Sequence, residues 1–336
     1  MTKEEVRSAA QDLGFALCGF AKAGRAPHAE ALETWLESEH QATMDWMQRT
    51  AAERSDPDRV LPGVRTVVVL ATNYFHEDPP AVPSTGRIAR YAWIDDYHEV
   101  LKPRLEMLAA KLEQAGGTQR CFVDSGPVLE RDWAAACGVS WHGKSTMGIH
   151  PELGTWFFLS VILTTLDFEP DSPLPDRCGR CTRCIDACPT QAITAPYRLD
   201  ARRCISFLTI ENKGPIPEEF REAMGDRIFG CDDCLDACPW NRFARASRDA
   251  GLQPRPEIVG KPLRELLALD EAQFKTLFRG SPILRAKRRG FLRNVCVALG
   301  NVGTKDDLPA LQSALKDHEP LVREHAAWAV GKILGR

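Results

Sequence analysis

The chain has 336 residues, of which 44% are hydrophobic and 26% charged, and a formal net charge of −3. That length suits two or three domains, and the composition excludes collagen-like, disordered and transmembrane classes. The longest apolar run, Trp156 to Leu166, is far short of the roughly 20 residues that span a bilayer, and Met1-Thr-Lys-Glu-Glu5 has no apolar signal core. The expectation is a cytoplasmic protein with no membrane partner.

Residues 1–167 alternate between helical and strand patterns. Glu4 to Leu13 reads as a helix, Phe15 to Phe20 as a strand and Ala29 to Ser38 as a helix. Val67 to Ala71 is a β-branched run with the composition of a buried strand. Tyr97 to Ala115 reads as a helix closed by Gly116-Gly117, and Gln119 to Val123 as a short strand. Pro127 to Cys137 reads as a helix with Pro127 at its first position and Gly138 beyond its end. This alternation predicts an α/β or α+β core. No G-x-G-x-x-G follows a strand, so a Rossmann dinucleotide site is not supported.

Residues 168–177 are proline-rich and mark a boundary. A cysteine block extends from there to residue 245, and residues 250–262, with three prolines, form a second linker. In the helical tail, Ala298-Leu-Gly-Asn301 recurs as Ala329-Val-Gly-Lys332, which suggests a HEAT-like repeat. The expected division is 1–167, 168–245 and 246–336.

Eight of the 12 cysteines lie between Cys178 and Cys238. Without an export signal, such a block indicates metal ligation rather than disulfides. Cys178-x2-Cys181-x2-Cys184-x3-Cys188-Pro189 is the ferredoxin run for [4Fe–4S] ligation, whose fourth cysteine serves the other cluster in two-cluster proteins. The second run, Cys231-x2-Cys234-x3-Cys238-Pro239, has Ile228 where another cysteine would complete it, and Cys204 can supply that thiolate. Cross-ligation then assigns Cys178, Cys181, Cys184 and Cys238 to one cubane. It assigns Cys188, Cys204, Cys231 and Cys234 to the other. Two four-thiolate zinc sites would use the same ligand count, but zinc usually takes its thiolates from separated C-x2-C hairpins. The remaining Cys18, Cys121, Cys137 and Cys296 read as packing residues.

A ferredoxin needs only the cluster domain, so the long flanking segments imply an acceptor site elsewhere and an external one-electron donor. Charge is uneven: Arg279, Arg285, Lys287, Arg288, Arg289 and Arg293 occur in a stretch without an acid, and Arg202-Arg203 lies near the clusters. Such a stripe can follow phosphates, although a charge run is more often a solvated face.

The cysteine spacing, Cys204-Ile-Ser-Phe-Leu-Thr209, Val123-Asp-Ser-Gly126, the segment after Gly138 and the repetitive tail together resemble the epoxyqueuosine reductase family. The resemblance covers essentially the whole chain. It implies an α+β multidomain protein: a nitroreductase-like α/β cobalamin-binding domain, a double [4Fe–4S] ferredoxin-like domain and an α-helical HEAT-like tail that contacts tRNA. It implies reduction of epoxyqueuosine to queuosine at the wobble position of tRNA anticodons, by a monomer. The alternative is a reductive dehalogenase-like enzyme acting on a small molecule with the same cofactors.

By the same resemblance Asp124 is the proton donor and a cofactor neighbour, and Arg54, His142, Lys144, Ser145, Ser206 and Thr209 border the cobalamin. Arg202, Arg203, Arg285, Lys287, Arg288, Arg289 and Arg293 become the RNA contacts. The D-x-H-x-x-G signature of histidine-ligated cobalamin is not matched, because Asp96-Tyr-His98 is followed by Leu101 where glycine is required.

Overall fold

The computed structural model describes residues 1–80 and 84–335. The first third contains α1 (Lys3–Asp12), β1 (Leu17–Lys22), α2 (Ala29–Glu37), α3 (Asp45–Arg49), α4 (Ala51–Ser55), β2 (Thr66–Asn73), β3 (Arg87–Ile88) and α5 (Tyr97–Gln114). There follow β4 (Gln119–Phe122), α6 (Glu130–Ala136), β5 (Trp141–His142), β6 (Gly148–Ile149) and β7 (Phe157–Thr164). The cysteine region adds α7 (Arg183–Asp186), β8 (Ile193–Ala195), β9 (Arg198–Leu199), α8 (Ile205–Ile210), α9 (Glu218–Arg221), β10 (Arg227–Phe229) and α10 (Asp233–Asp236). The tail comprises α11 (Leu263–Leu267), α12 (Glu271–Leu277), α13 (Lys287–Val302), α14 (Leu308–Ala314) and α15 (Pro320–Leu334).

The central sheet has the order β1-β2-β7-β4, and every pairing is antiparallel. Its middle strands are covered on both faces, which explains the unbroken apolar run in β2. Val67, Val69 and Ala71 face one core with Trp133 and Ala134 of α6. Val68 and Leu70 face the other, with Val6 of α1 and Leu101, Leu105, Leu108 and Leu112 of α5. The four leucines recur at helical spacing and are fully buried, each worth roughly 1.5–3 kcal/mol relative to exposure.

The helix predicted from Pro127 begins three residues later, at Glu130. Asp124 takes a left-handed φ of 57°, and Gly126 passes so close to Phe122 that a Cβ would sit 2.2 Å from its ring. Those constraints keep residues 124–129 out of the helix. They shape the loop that carries the candidate acid.

The two proline-rich segments do not behave as free linkers. Asp171 accepts the Phe20 N–H at 2.9 Å and pairs with Arg7 at 2.7 Å, fastening the first against α1 and β1. In the second, Leu252 is fully buried and its carbonyl bonds His76 Nε2 at 2.7 Å. Parallel pairing of β10 with β3 joins the cysteine region to the first unit. Arg90 adds a buried tie, with its backbone N–H on Asp232 at 2.7 Å and its guanidinium on Asp78 and Asp236, each at 2.6 Å.

In the tail, α13 and α15 pack side by side with α14 against α15. The approach is close: a Cβ on Gly300 would lie 2.4 Å from the Trp328 ring. α13 is also the polar spine that ties the tail to the cysteine region. Arg293 is fully buried and donates to the carbonyls of Leu208, Asn212 and Gly214 at 2.6–2.8 Å. Asn294, also fully buried, donates to Thr209 and Ile228 carbonyls, both at 2.8 Å.

Candidate functional site

The two cysteine runs fold alike. Cys184 and Cys234 sit on the one-turn helices α7 and α10, which pack together. Cys188 N donates to Ile185 O at 3.2 Å, and Cys238 N to Leu235 O at 2.9 Å, so each C-x3-C-P ending leaves its helix by the same turn. Cys204 is the N-cap of α8, and the Ser206 and Phe207 amides at that helix start point at its thiol. Burial raises the Cys204 pKa, and those amides oppose the rise.

The thiols fall into two sets by the charge they exert on one another. Cys178, Cys181, Cys184 and Cys238 form one set. Cys188, Cys204, Cys231 and Cys234 form the other. None of the twelve cysteines is in a disulfide. Each set offers the four thiolate donors a cubane requires. Around the first set, Lys144 Nζ donates to the carbonyls of Gly179 and Cys181 at 2.6 and 3.1 Å. The buried Trp141 indole N–H makes no other hydrogen bond and favours the Cys178 thiolate.

Asp124 stands at the end of β4 with an exposed side chain. Tyr97, the first residue of α5, donates its hydroxyl to Asp124 Oδ2 at 2.5 Å. That phenol is held between His98 and Phe158, with ring centroids 4.2 Å away on either side. Burial, then the Asp124 charge, raise the Tyr97 pKa, so the phenol keeps its proton and serves as a donor. Arg54 bonds Val128 O at 3.1 Å and Thr50 Oγ1 at 3.0 Å, placing its guanidinium on the Asp124 loop. Burial lowers the Arg54 pKa while Glu130 and Asp124 raise it. Glu130 Oε1 is buried without a partner. Burial, then the nearby Asp124 charge, push its carboxyl up to about 8.

Tyr91 connects this site to the second thiol set. It feels the charges of both Asp124 and Asp232, the residue after Cys231, and its ring lies 6.2 Å from Tyr97. Arg285 stands at the rim, its side chain 57% exposed, paired with Glu211 and lying 5.6 Å over Trp46. The hydrogen bond and the charge of Glu211, then the charge of Asp124, raise its pKa against the effect of burial.

The structure does not bring every expected residue to this site. Thr209 is fully buried, its hydroxyl donating to Ile205 O at 2.7 Å and accepting the Gly230 N–H at 2.9 Å, so it presents no surface to a cofactor. Ser206, half-buried, is the second residue of α8, and Ser145 is buried. Lys144 is committed to the Gly179 loop, and the His142 imidazole turns toward Asp132. Arg288 and Arg293 are not available to phosphates. Arg288 is buried and forks onto Asp317, while Arg293 is spent on backbone carbonyls. Those carbonyls would be stranded if Arg293 swung outward. Arg202 pairs with Asp200 at 2.8 Å, and Arg203 donates to Thr190 O at 3.0 Å. Arg285 and Lys287 remain exposed and Arg289 half-exposed. Tyr97, Tyr91 and Glu130 were not anticipated. Asp96 caps α5, its side chain accepting the His98 N–H, which fixes Tyr97 as the first helical residue.

Residues 54–125 match the family described as epoxyqueuosine reductase QueG, DUF1730, residues 177–241 a 4Fe-4S double cluster binding domain, and residues 282–335 HEAT repeats. An epoxyqueuosine reductase of Xanthomonas campestris pv. campestris is 43% identical, the match covering 97% of this chain and 95% of the relative. That of Escherichia coli (strain K12) is 37% identical, covering 99% and 90%. A crystal structure of epoxyqueuosine reductase with a tRNA-Tyr epoxyqueuosine-modified stem loop superposes with a TM-score of 0.92 at 34% identity, covering 98% of this chain and 90% of that one. The Bacillus subtilis enzyme, captured with its catalytic Asp loop swung out of the active site, superposes at 0.91 with 33% identity and the same coverage.

Proposed function

The chain belongs to the epoxyqueuosine reductase family, and on that premise we propose that it reduces epoxyqueuosine to queuosine in the anticodon loop of tRNA, with Asp124 as the proton donor. The observation that carries the reading is the contact of Tyr97 with Asp124, set beside the second thiol set through Tyr91. The tRNA stem loop bound by the relative supports the same substrate here. The mobility of the catalytic Asp loop in the Bacillus subtilis enzyme fits a loop held at Asp124 in a left-handed conformation.

Three units serve the reaction: residues 1–167 as a nitroreductase-like catalytic domain, 168–245 as the two-cluster domain and 246–336 as the helical RNA-contacting tail. Removing an epoxide oxygen as water consumes two electrons and two protons. Two [4Fe–4S] clusters, ligated by the two thiol sets, carry the electrons singly from an external donor. The Cys188, Cys204, Cys231 and Cys234 cluster is the inner one, because it lies toward Tyr91 and Asp124.

Cobalamin fits the remaining donors. Ser140 Oγ, on the segment after Gly138, and Glu130 Oε1, at the start of α6 beside the Asp124 loop, are buried without protein partners and could bond corrin amides. Arg54 and Ser145 complete the set. When bound, the cofactor would supply the strongly reducing centre that side chains lack. The protein's share is positional and protic. Asp124 gives its proton to the departing oxygen, and the Tyr97 hydroxyl then stabilises the carboxylate left behind. The base must leave the anticodon stack to reach Asp124. Arg285, Lys287 and Arg289, exposed or half-exposed, supply positive charge for the phosphates of such a loop. The enzyme acts as a cytoplasmic monomer.

The test is turnover. Oxygen-protected protein, supplied with cobalamin, a chemical reductant and epoxyqueuosine-bearing tRNA, should yield queuosine on nucleoside mass spectrometry. Reduction of small organohalides with no change in the tRNA would favour the dehalogenase-like alternative.

A further inference from the structure

We propose that His28, Asp132 and His142 form a site for a zinc-class divalent metal, independent of the clusters and of cobalamin. Their ligand atoms, two imidazole nitrogens and one carboxylate oxygen, all lie within 4.8 Å of one another. The three residues come from separate elements: His28 is the N-cap of α2, Asp132 lies in the first turn of α6, and His142 is on β5.

The carboxylate is aimed before any metal arrives. Asp132 is 3% exposed, and its Oδ2 accepts the His28 backbone N–H at 2.9 Å. That bond leaves Oδ1 facing His28 Nδ1 on one side and His142 Nε2, at 3.3 Å, on the other. The imidazoles meet edge to face, with centroids 5.0 Å apart, so two nitrogens and one oxygen point at a common volume. Among the described residues Asp132 has no lysine or arginine partner. A buried carboxylate balanced only by two imidazoles favours a dication, which offsets its charge without requiring either ring to be protonated.

Imidazole is a borderline donor and carboxylate a hard one, a mixed set that zinc binds in its open sites, with copper and nickel as competitors that geometry and availability must exclude. The His28 side chain is 61% exposed, so a fourth position opens to water. Three protein ligands plus water is the arrangement of an open zinc site. The ion would clamp α2 and β5 onto α6, the helix that follows the Asp124 loop.

The experiment uses the cluster-loaded full chain, with iron content verified so that no cluster thiol is free. Zinc is titrated against a chromogenic chelator, and bound zinc is measured after gel filtration. Wild type should retain one equivalent and show a raised thermal midpoint with zinc. His28→Ala, which alters an exposed residue, should weaken zinc binding at least tenfold and abolish the thermal shift. Asp132→Asn should do the same. Absence of a saturable equivalent in wild type, or unchanged zinc affinity in the His28→Ala chain, overturns the proposal and leaves a hydrogen-bonded triad.

Discussion

Asp124 combines three properties that rarely coincide in one residue: a left-handed backbone, an exposed carboxyl and a buried phenol as partner. A non-glycine residue at φ 57° is uncommon and persists where surrounding contacts over-determine it. Asp124→Asn keeps the size and loses the proton. Turnover should fall by about two to four orders of magnitude with iron content unchanged, and full activity in that variant would remove Asp124 as the acid. Glu130 makes a second residue-level prediction. Its folded pKa of about 8 exceeds that of an unfolded glutamate, so the folded chain binds the extra proton between roughly pH 4.5 and 8. Its contribution to stability is complete below that window and is lost as pH rises through it, at about 1.4 kcal/mol per pH unit. Urea midpoints from pH 5 to pH 8 should therefore fall more steeply in wild type than in Glu130→Gln. Parallel curves would show that the carboxyl is already ionised at pH 5. Asp124 itself was singled out by the family resemblance of Val123-Asp-Ser-Gly126 and by its place after a predicted strand. The Tyr97 contact was not, because it joins residues 27 positions apart whose meeting depends on how α5 lies on the sheet.

At the scale of elements, the cluster loops are the most legible part of the chain. Cubane ligation needs thiols at short fixed spacings, and the turns at Cys188 and Cys238 follow from those spacings and their prolines. Cys204 is different, since it reaches its set from the start of another helix. Cys204→Ala should cost one cubane, about four of about eight irons per chain. An unchanged iron count would refute the assigned ligation. Element boundaries were less legible: α6 starts at Glu130 because Asp124 and Gly126 hold the preceding loop away from helical geometry. The basic stretch from Arg279 to Arg293 shows the largest reinterpretation. In sequence it is a charged face. In the fold α13 is a central helix whose Arg288 and Arg293 point inward to Asp317 and to backbone carbonyls. A guanidinium with enough acceptors can be buried, and a count of charges does not reveal where acceptors will be.

On the scale of the whole molecule, the three expected units are interlocked. Ile88, Ala92 and Trp93 of the first unit pack into the core of the tail, and Leu235 and Leu252 pack under the α5 side of the sheet. Arg285 joins all three, reaching from the tail to Glu211 of the cysteine region and to Trp46 and Asp124 of the first unit. With Arg279, Lys287 and Arg289 it is what the basic stretch still presents to solvent for phosphate contact. Arg285→Glu should weaken tRNA binding and lower the salt dependence by about one unit of log–log slope, read by filter binding across salt concentrations. Unchanged affinity and slope would place the RNA elsewhere. The sequence by itself determined the chemistry of the clusters, the alternation of buried elements and the repetitive pattern of the tail. These are properties of neighbours along the chain: ligand spacing, periodicity and turn chemistry. Only the tertiary structure decided that Tyr97 holds Asp124, that Arg293 is a buried spine and that His28, Asp132 and His142 converge. Each of those depends on distant segments brought together by burying apolar surface, and the same residues could have met other partners in another packing.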